Sequence, residues 1–523
     1  MRTSADIVVL GGGLGGCMAA LAVAKSGLKV ILTEETDWIG GQLTSQAVPP
    51  DEHQWIESFG CTSTYREFRE RVRLYYKENY PLREDPFHNE RLNPGNGWVS
   101  RLCHEPKVAL RVIEDMLAPY MSNGRITIYL GCRLVKAETD GDFVKSVTVL
   151  RDGTGLHQTL SAAYFLDATE CGDLLPLAGI EYVTGAEARS ETGEPHAPDV
   201  ADPLDIQSIT HVFALDYAEG QDCTIDKPEQ YEFWCSFVPS FSRHALLSWF
   251  IPDVNGVDQM REIVFMPDGV ESMPLWTYRR IIDASLYAPG FYESDVTLVN
   301  WSQNDYFLGP VYEVPEEERL KHLKGARQLS LSLVYWLQTE APRPDGGKGY
   351  PGIRLRKDIL GTEDGLAKHP YIRESRRIKA VHTVTENDVS REIRGDLGIR
   401  KYEDSVGVGS YHLDLHPTTR TNRMCYIPSY PYEIPLGALL PIRVKNVLPA
   451  CKNIGTTQIA NGCYRLQPTE WNIGESAGYL AAYAVIHGIT PHEVRGEPHH
   501  LNSFLELLDR EGIQTHWPDE VLG

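Results

Sequence analysis

The segment Tyr411-His-Leu-Asp-Leu-His416 places titratable side chains at alternate positions. On a β-strand, His412, Asp414 and His416 share one face and the two leucines take the other. A histidine that titrates near neutral pH can take the proton from a substrate hydroxyl, and a carboxylate beside it can fix its tautomer. We therefore predict a catalytic trio. A polar strand face with internally bonded histidines is one alternative. A metal site built from the same trio is another, but no further ligands occur at a clear spacing, so we predict no metal.

A second charged cluster is Arg373-Glu-Ser-Arg-Arg377, with three arginines and one glutamate in five residues. Guanidinium groups match the geometry of carboxylates and phosphates. We predict that Arg373 and Arg376 anchor an acidic substrate or the negative charge of a reduced cofactor. An ion-pair lattice between domains is the alternative.

The segment Gly11-Gly-Gly-Leu-Gly-Gly16 contains Gly-x-Gly-x-x-Gly between a predicted strand and a predicted helix. The first glycine permits the tight turn, the second lets the backbone approach a diphosphate, and the third lets helix and strand pack closely. An acid follows 23 positions after Gly11, at the end of the next predicted strand, where it can accept both hydroxyls of an adenosine ribose. The pattern indicates a dinucleotide site. Its predicted contacts are Gly11, Gly13, Leu14, Gly16, Glu34 and Glu35.

The next segment favours FAD over NAD. The turn Trp38-Ile-Gly-Gly-Gln-Leu-Thr44 follows the acid, and its small residues let an extended flavin lie against the backbone. We predict contacts from Gly40, Gly41, Gln42 and Thr44. The sequence has no second strand, Gly-x-Gly-x-x-Gly and helix unit, which argues against a separate NAD(P)H domain. It also lacks a Cys-x4-Cys pair, so direct hydride exchange with an organic substrate is favoured over disulfide reduction.

These features resemble the FAD-dependent oxidoreductases of the glutathione-reductase-like superfamily, and within it a bacterial group with the Arg-Glu-Ser-Arg-Arg motif. The similarity is carried by motifs at 165–173, 300–305, 373–377, 411–417, 434–441, 446–448, 465 and 474–482. It implies an α/β fold: a glutathione-reductase-like FAD-binding Rossmann domain with an inserted α+β substrate domain. It also implies flavin contacts at Val135, Ala168, Thr169, Gly172, Asp173 and Gly474.

The sequence departs from the family pattern near the flavin. Cys451-Lys452 stands where the family commonly has Gly-Arg, and Gly474-Glu-Ser stands where it has Gly-Gln-Ala. These differences bear on the flavin contacts and on the redox potential. For Gly474, close helix packing is the alternative to cofactor binding, and a helix start near the flavin would stabilise negative charge there.

Hydrophobic periodicity predicts the elements that position these residues. Strands at 6–10 and 29–33 flank a helix at 14–26, which is a βαβ unit. Other predicted helices are 65–79, 106–120, 315–339 and 472–488, and predicted strands are 126–130 and 146–150, flanking a turn at 140–142, and 164–168. We predict an FAD domain at 1–180, with a helical excursion at about 50–100, a substrate or cap domain at 181–435, the rest of the FAD domain at 436–490, and a C-terminal helical tail at 491–523.

Composition narrows the function classes. With 50 Lys and Arg against 72 Asp and Glu, the 523-residue chain has a formal charge of −22, so we predict no nucleic-acid partner. Ten scattered cysteines indicate a reducing compartment rather than a disulfide scaffold. The N-terminus does not resemble a secretory signal. The uncharged stretch 7–24 contains five glycines, so we predict a turn and a helix there and no membrane insertion. A cytoplasmic location follows as an expectation.

The predicted function is FAD-dependent hydride transfer between a small-molecule substrate and flavin N5, with a separate electron acceptor. A flavin-dependent monooxygenase and a non-catalytic FAD-binding protein are the alternatives. We make no prediction of oligomeric state.

Overall fold

The predicted βαβ unit opens the chain in the computed structural model, which describes residues 2–253, 256–267 and 273–521. Ile7–Leu10 and Val30–Thr33 are parallel strands with every residue buried, and the helix Leu14–Lys25 lies between them in the chain. Runs of Ile, Val and Leu suit strands that are covered on both faces. The element bounds lie within one or two residues of the predicted ones because the signals are local.

The elements of the first third of the chain are β1 Arg2–Ser4, β2 Ile7–Leu10, α1 Leu14–Lys25, β3 Val30–Thr33, α2 Ser63–Asn79, α3 Glu84–His88, α4 Pro106–Ser122, β4 Ile126–Tyr129, β5 Cys132–Asp140, β6 Phe143–Arg151, β7 Leu156–Ser161, β8 Tyr164–Asp167 and α5 Leu174–Leu177.

The middle of the chain contains β9 Tyr182–Val183, α6 Arg189–Thr192, β10 Ile209–Thr210, β11 Phe213–Tyr217, α7 Tyr231–Ser236, β12 Phe250–Asp253, β13 Gly256–Glu262, α8 Leu275–Tyr278, β14 Arg280–Ile282, β15 Val296–Val299, β16 Asp305–Tyr306, α9 Glu316–Thr339, β17 Ile353–Leu355, α10 Lys357–Leu360, β18 Tyr371–Ile372, β19 Arg377–Ile378, α11 Glu386–Val389, α12 Arg391–Arg394, β20 Ser405–Gly409, β21 Leu413–Leu415, β22 Cys425–Ile427 and β23 Tyr432–Pro435.

The C-terminal part contains β24 Val447–Pro449, α13 Gln458–Tyr464, α14 Gln467–His487, α15 Pro491–Gly496 and α16 Pro498–Arg510. Short 3-10 helices lie at Gly41–Leu43, Ala284–Leu286, Ser302–Asn304, Gly395–Leu397, Leu436–Leu439 and Asp519–Val521.

A parallel sheet in the order β24-β8-β2-β3-β4 holds the N-terminal unit. Its first strand, β24, comes from the C-terminal part of the chain. One sheet therefore contains strands from both the N-terminal and the C-terminal parts. Helix α14 packs along α1, where a Cβ on Gly474 would lie 2.1 Å from Gly15 O and one on Gly478 would lie 2.5 Å from Ala19 O. Only glycine permits such close contact of two helix backbones. This α/β arrangement is a Rossmann-type fold.

An antiparallel hairpin corrects one strand assignment. The strand before the turn at 140–142 is β5, paired with β6, whereas the predicted strand at 126–130 is β4 of the parallel sheet. Strand β5 was missed because its sequence, Cys-Arg-Leu-Val-Lys-Ala-Glu-Thr-Asp, is mostly polar and partly exposed. One-sided strands of this kind give a weak apolar signal.

The middle of the chain contributes small antiparallel sheets and hairpins. A sheet in the order β16-β10-β18 pairs Thr210 with Asp305 on one side and with Tyr371 on the other. The hairpin β21–β22 contains Leu413–Leu415, and His412 and His416 flank this strand. Helix α9, predicted at 315–339, buries Leu329, Leu333 and Leu337. Among the helices of the described ranges, none has the length and apolar character needed to cross a membrane.

Candidate active site

A narrow groove lies at the carboxyl ends of β2, β3 and β8, where the two glycine-rich turns meet. The Gly40 N–H donates to Gly12 O at 2.7 Å, and a Cβ on Gly41 would lie 2.8 Å from Gly13 Cα. Ligands of open α/β sheets bind at this edge. The groove is lined by the following predicted contacts: Gly11, Gly13, Glu34, Glu35, Gly41, Ala168, Thr169 and Asp173.

Other predicted contacts shape the first turn and its surroundings. Leu14 and Gly16 lie in the first turn of α1, and a Cβ on Gly16 would lie 1.9 Å from Gly11 O. Val135 follows the groove residue Leu134 in β5. These residues lie beside the groove rather than on its surface.

The second turn is held by its own hydrogen bonds. Gly40 has φ +101°, which a side chain would strain. Thr44 Oγ1 donates to Ile39 O at 2.6 Å, and Gln42 Nε2 donates to Arg465 O at 3.0 Å. The turn is therefore bonded to Arg465, which lies between α13 and α14.

Glu34 lies at the end of β3, as predicted for a ribose-binding acid. Its carboxylate accepts from the Gly12 N–H at 2.8 Å and from Thr36 Oγ1 at 2.7 Å. Burial, reinforced by Glu35, raises the pKa of Glu34 to about 7.

Several groove residues were not predicted from sequence: Thr33, Ser45, Gln46, Cys132, Arg133, Leu134, Glu170 and His369. His369 Nε2 lies 2.9 Å from Glu35 Oε1. Burial opposes the charged form of His369, but Glu35 outweighs it and raises the pKa of the imidazole to about 9. No motif surrounds His369 in the sequence, so only the fold reveals its place.

A larger cavity of about 710 Å³ adjoins this region. The segment 369–373 links the two, because His369 lines the groove while Tyr371 and Arg373 line the cavity. The charged residues that line the cavity include Asp51, Arg279, Asp305, Arg373, Asp414, His416 and Arg465. Its aromatic lining residues include Tyr278, Trp301, Tyr371, Tyr411 and Tyr426.

His416 stands between two carboxylates in this cavity. Its Nδ1 lies 2.6 Å from Asp305 Oδ2, and its Nε2 lies 3.3 Å from Asp414 Oδ2. Burial and Arg373 act to lower the pKa of His416, but the two aspartates outweigh them and the pKa is raised. Burial acts to raise the pKa of Asp414, and His416 and Arg465 lower it instead. The cluster of His416, Asp305 and Asp414 can therefore take up and release a proton at the imidazole.

The structure separates the two histidines of the predicted trio. Asp414 and His416 line the cavity, whereas His412 is exposed and contacts the Tyr426 ring at a centroid distance of 4.7 Å. Partial desolvation by neighbouring groups lowers the pKa of His412, although its surface is exposed. The geometry thus favours His416 as the reacting histidine, and a role for His412 stays a prediction.

The two predicted arginines lie in different environments, one in the cavity and the other in a set of ion pairs. Arg373 lines the cavity, and its Nη2 lies 2.8 Å from Asp305 Oδ1. Arg376 instead pairs with Asp173 at 3.0 Å and Glu313 at 2.6 Å. Arg376 therefore belongs to an ion-pair lattice that also fixes Gly172, whose Cβ position lies 3.0 Å from Arg376 Cβ.

Gly474 lies well inside α14, against Gly15 of α1. Helix packing accounts for glycine at this position, and a direct cofactor contact from Gly474 stays a prediction. The residue at the start of α14 is Gln467, whose Oε1 accepts from the cavity residue Asp51 through its N–H at 3.0 Å.

A model of the FAD dependent oxidoreductase family matches residues 6–505. The chain belongs to this family. No curated protein matches the sequence. As an FAD-dependent oxidoreductase, the protein is an enzyme with FAD as its cofactor.

Solved structures of other flavoenzymes are similar to this FAD-dependent oxidoreductase at low identity. E. coli quinol fumarate reductase is 10% identical over 98% of this chain and 74% of its own, with a TM-score of 0.33. A geranylgeranyl bacteriochlorophyll reductase-like protein from Thermoplasma acidophilum is 11% identical over 99% and 86%, with a TM-score of 0.31. L-proline dehydrogenase from P. horikoshii is 17% identical over 36% of this chain, with a TM-score of 0.18, and the chain spans 24% of its length. The chain likewise spans 47% of the flavin-dependent brominase Bmp2.

The residues of the groove fit FAD. Glu470 Oε1 accepts from the Gly15 N–H at 3.4 Å, and Glu170 Oε1 lies 3.1 Å from where a Cβ on Gly13 would be. The start of α1 therefore already attracts acceptor oxygens, as expected where backbone amides and the helix dipole favour negative charge. Buried Gln42 Oε1 and Gln46 Oε1 have no hydrogen-bond partner among the described residues. Gln46 lines the groove and Gln42 lies in the second turn, so each offers an unused acceptor near the site where FAD would bind.

Lys452, at the position where the family commonly has arginine, is fully buried beside this region. Its Nζ pairs with Glu170 and lies 4.0 Å from Glu470 Oε2. We expect Lys452→Met to lower the free energy of unfolding by about 3–5 kcal/mol, because buried Glu470 and partly buried Glu170 lose their cation. Denaturant titration followed by tryptophan fluorescence measures the change. The double variant Lys452→Met/Glu170→Gln should recover part of it, and an unchanged unfolding midpoint in the single variant would contradict the ion pair.

Proposed function

We propose that the protein oxidises a small organic substrate by hydride transfer to flavin N5 and passes the electrons to a separate acceptor. The observation that supports this most directly is His416, held between Asp305 and Asp414 in a cavity that the segment 369–373 links to the cofactor groove.

The two aspartates have different tasks in this proposal. Asp305 accepts from His416 Nδ1 at 2.6 Å and so directs the lone pair to Nε2. His416 Nε2 takes the proton of the substrate hydroxyl. Asp414 Oδ2, 3.3 Å from Nε2, stabilises the imidazolium that forms. Arg373 holds Asp305 in place through a 2.8 Å ion pair.

FAD, when bound, supplies the atom that accepts the hydride, so the substrate loses a hydride from carbon and a proton from oxygen and becomes a carbonyl compound. The hydride takes the electron pair of the broken C–H bond, and the proton goes to His416. Return of the flavin to its oxidised form requires a separate acceptor, and the sequence has no second dinucleotide motif to bind a nicotinamide for this step.

Anaerobic mixing of the yellow protein with candidate alcohols and hydroxy acids tests the proposal. We expect one compound class to bleach the flavin absorbance and an artificial acceptor to restore it. Oxygenated product formed only with NAD(P)H and oxygen would indicate a monooxygenase. Bound FAD that no candidate compound bleaches, with or without NAD(P)H, would indicate a non-catalytic FAD-binding protein.

The pH dependence of flavin reduction follows from the raised pKa of His416. A base must be neutral to act, so the rate should rise with pH and reach half its limit above 6.5, the usual pKa of histidine. Asp414→Asn removes an anion that raises this pKa, so the midpoint should move to lower pH. Asp345→Asn, at an exposed ion pair, is the control. Stopped-flow reduction rates across pH provide the measurement, and an unmoved midpoint in Asp414→Asn would show that another group titrates.

A further inference from the structure

Arg279 is a buried cation with unusually few partners. Its side chain is 7% exposed, and it lines the cavity on the face of the Tyr278 ring, 4.8 Å from the ring centroid. Its Nη2 makes two long contacts of 3.4 Å, to Asp51 Oδ1 and Tyr278 Oη. Its Nε and Nη1 have no hydrogen-bond partner among the described residues. Buried guanidinium donors without partners are costly and rare.

The other two arginines of the cavity are better satisfied. Arg373 donates to Thr210 Oγ1 at 2.9 Å and Ser208 O at 3.1 Å, in addition to its ion pair with Asp305. Arg465 donates to Tyr371 Oη at 2.7 Å and to Asp414 Oδ2 at 3.2 Å. Each of these two arginines leaves only its Nε without a partner among the described residues, whereas Arg279 leaves both Nε and Nη1. Arg279 is therefore the least satisfied of the three cations.

We propose that the substrate carries a carboxylate, which the guanidinium group of Arg279 binds while His416 takes the proton of the hydroxyl to be oxidised. This inference rests on the proposed function, because it names the substrate class of the same site. A guanidinium group is always charged and weakly hydrated, so it suits an ion pair with a carboxylate in a largely buried cavity. The substrate class is a small hydroxy acid, and its oxidation gives a keto acid or an aldehyde acid.

Matched compounds test the substrate class. Lactate is compared with lactamide and propane-1,2-diol, gluconate with sorbitol, and glucuronate with glucose, each mixed anaerobically with the holoenzyme. We expect a carboxylate to reduce the flavin at least about tenfold more efficiently than its neutral counterparts, since a charge-assisted hydrogen bond is worth about 1.5–3 kcal/mol. A neutral member that reduces the flavin as efficiently as its acid overturns the inference.

Variants of Arg279 test the residue. Arg279→Gln should raise KM for the preferred acid about 10- to 100-fold, with a smaller change in kcat, because the interaction binds the substrate rather than the reacting atoms. Arg279→Lys keeps the charge but replaces the planar guanidinium by a compact ammonium group, so its KM should be intermediate. Arg71→Gln, at an exposed pair on α2, is the control. An unchanged flavin spectrum confirms that each variant folds, and an unchanged KM in Arg279→Gln overturns the assignment.

A binding measurement separates this inference from the proposed function. Benzoate and oxalate are titrated into the holoenzyme, and the shift of the flavin absorbance bands reports occupancy without turnover. A shift in the wild type that Arg279→Gln weakens about tenfold or more supports the carboxylate site even if no compound bleaches the flavin. If neither acid shifts the bands and no acid bleaches the flavin, the carboxylate site is rejected together with the proposed oxidation. Bleaching by neutral compounds alone rejects the carboxylate site and retains the oxidation.

Discussion

Replacing His416 by alanine is expected to slow flavin reduction by about 10²- to 10⁴-fold, the range for loss of a general base. The bound FAD should be retained, because His416 lines the cavity and not the cofactor groove. Anaerobic stopped-flow measurement at the flavin band gives the rate, and the visible spectrum confirms occupancy. Added imidazole should restore part of the rate, since the vacated volume lies beside Asp305.

His412→Ala is the matched control for this experiment. His412 shares the strand face with His416 in sequence but is exposed and does not line the cavity, so its loss should change the rate less than about threefold. His416→Gln keeps most of the side-chain volume and guards against local collapse. Equal losses in the two histidine variants would remove His416 from its proposed role.

The strand, glycine turn and acid were predictable because their signals are local. Each depends on residues within about thirty positions, and the structure places them within a residue or two of the predicted bounds. The alternation at 411–416 is also a local signal, but the strand covers only Leu413–Leu415, and both histidines lie just outside it. What alternation does not specify is which end of the face enters the cavity, so His412 and His416 were not separable from sequence.

Asp51 and Arg279 show what local patterns miss. They are far apart in sequence, lie in no motif, and meet only because the chain segments before α2 and after α8 converge on the same cavity. Arg373 and Arg376 show the converse. They belong to one motif, and the fold sends the first to the cavity and the second to an ion pair with Asp173. For Arg373 and Arg376 the residue type predicted binding to an anion, and long-range packing decided which anion each one meets.

Gly11→Ala should yield protein that purifies without flavin. Gly11 has φ +94°, and a Cβ there would lie 2.2 Å from Ala168 O and 2.6 Å from Thr169 N, both backbone atoms of the segment that lines the groove. Strand β8 must move away from β2, which widens the edge where the diphosphate binds. Positive φ costs about 1–2 kcal/mol and overpacking about 1–3 kcal/mol more, so we expect FAD affinity to fall about 100-fold or more. Quenching of FAD fluorescence on titration measures this affinity.

Gly153→Ala separates backbone strain from the clash, because Gly153 has φ +72° and nothing within 4 Å of the added Cβ. It should cost about 1 kcal/mol of stability and leave FAD affinity unchanged. If Gly11→Ala bound FAD as tightly as the wild type, the close approach of β2 and β8 would not govern the cofactor site. If both variants lost FAD equally, global destabilisation and not the groove would explain the loss. A selective loss in Gly11→Ala therefore ties the cofactor to this edge of the sheet.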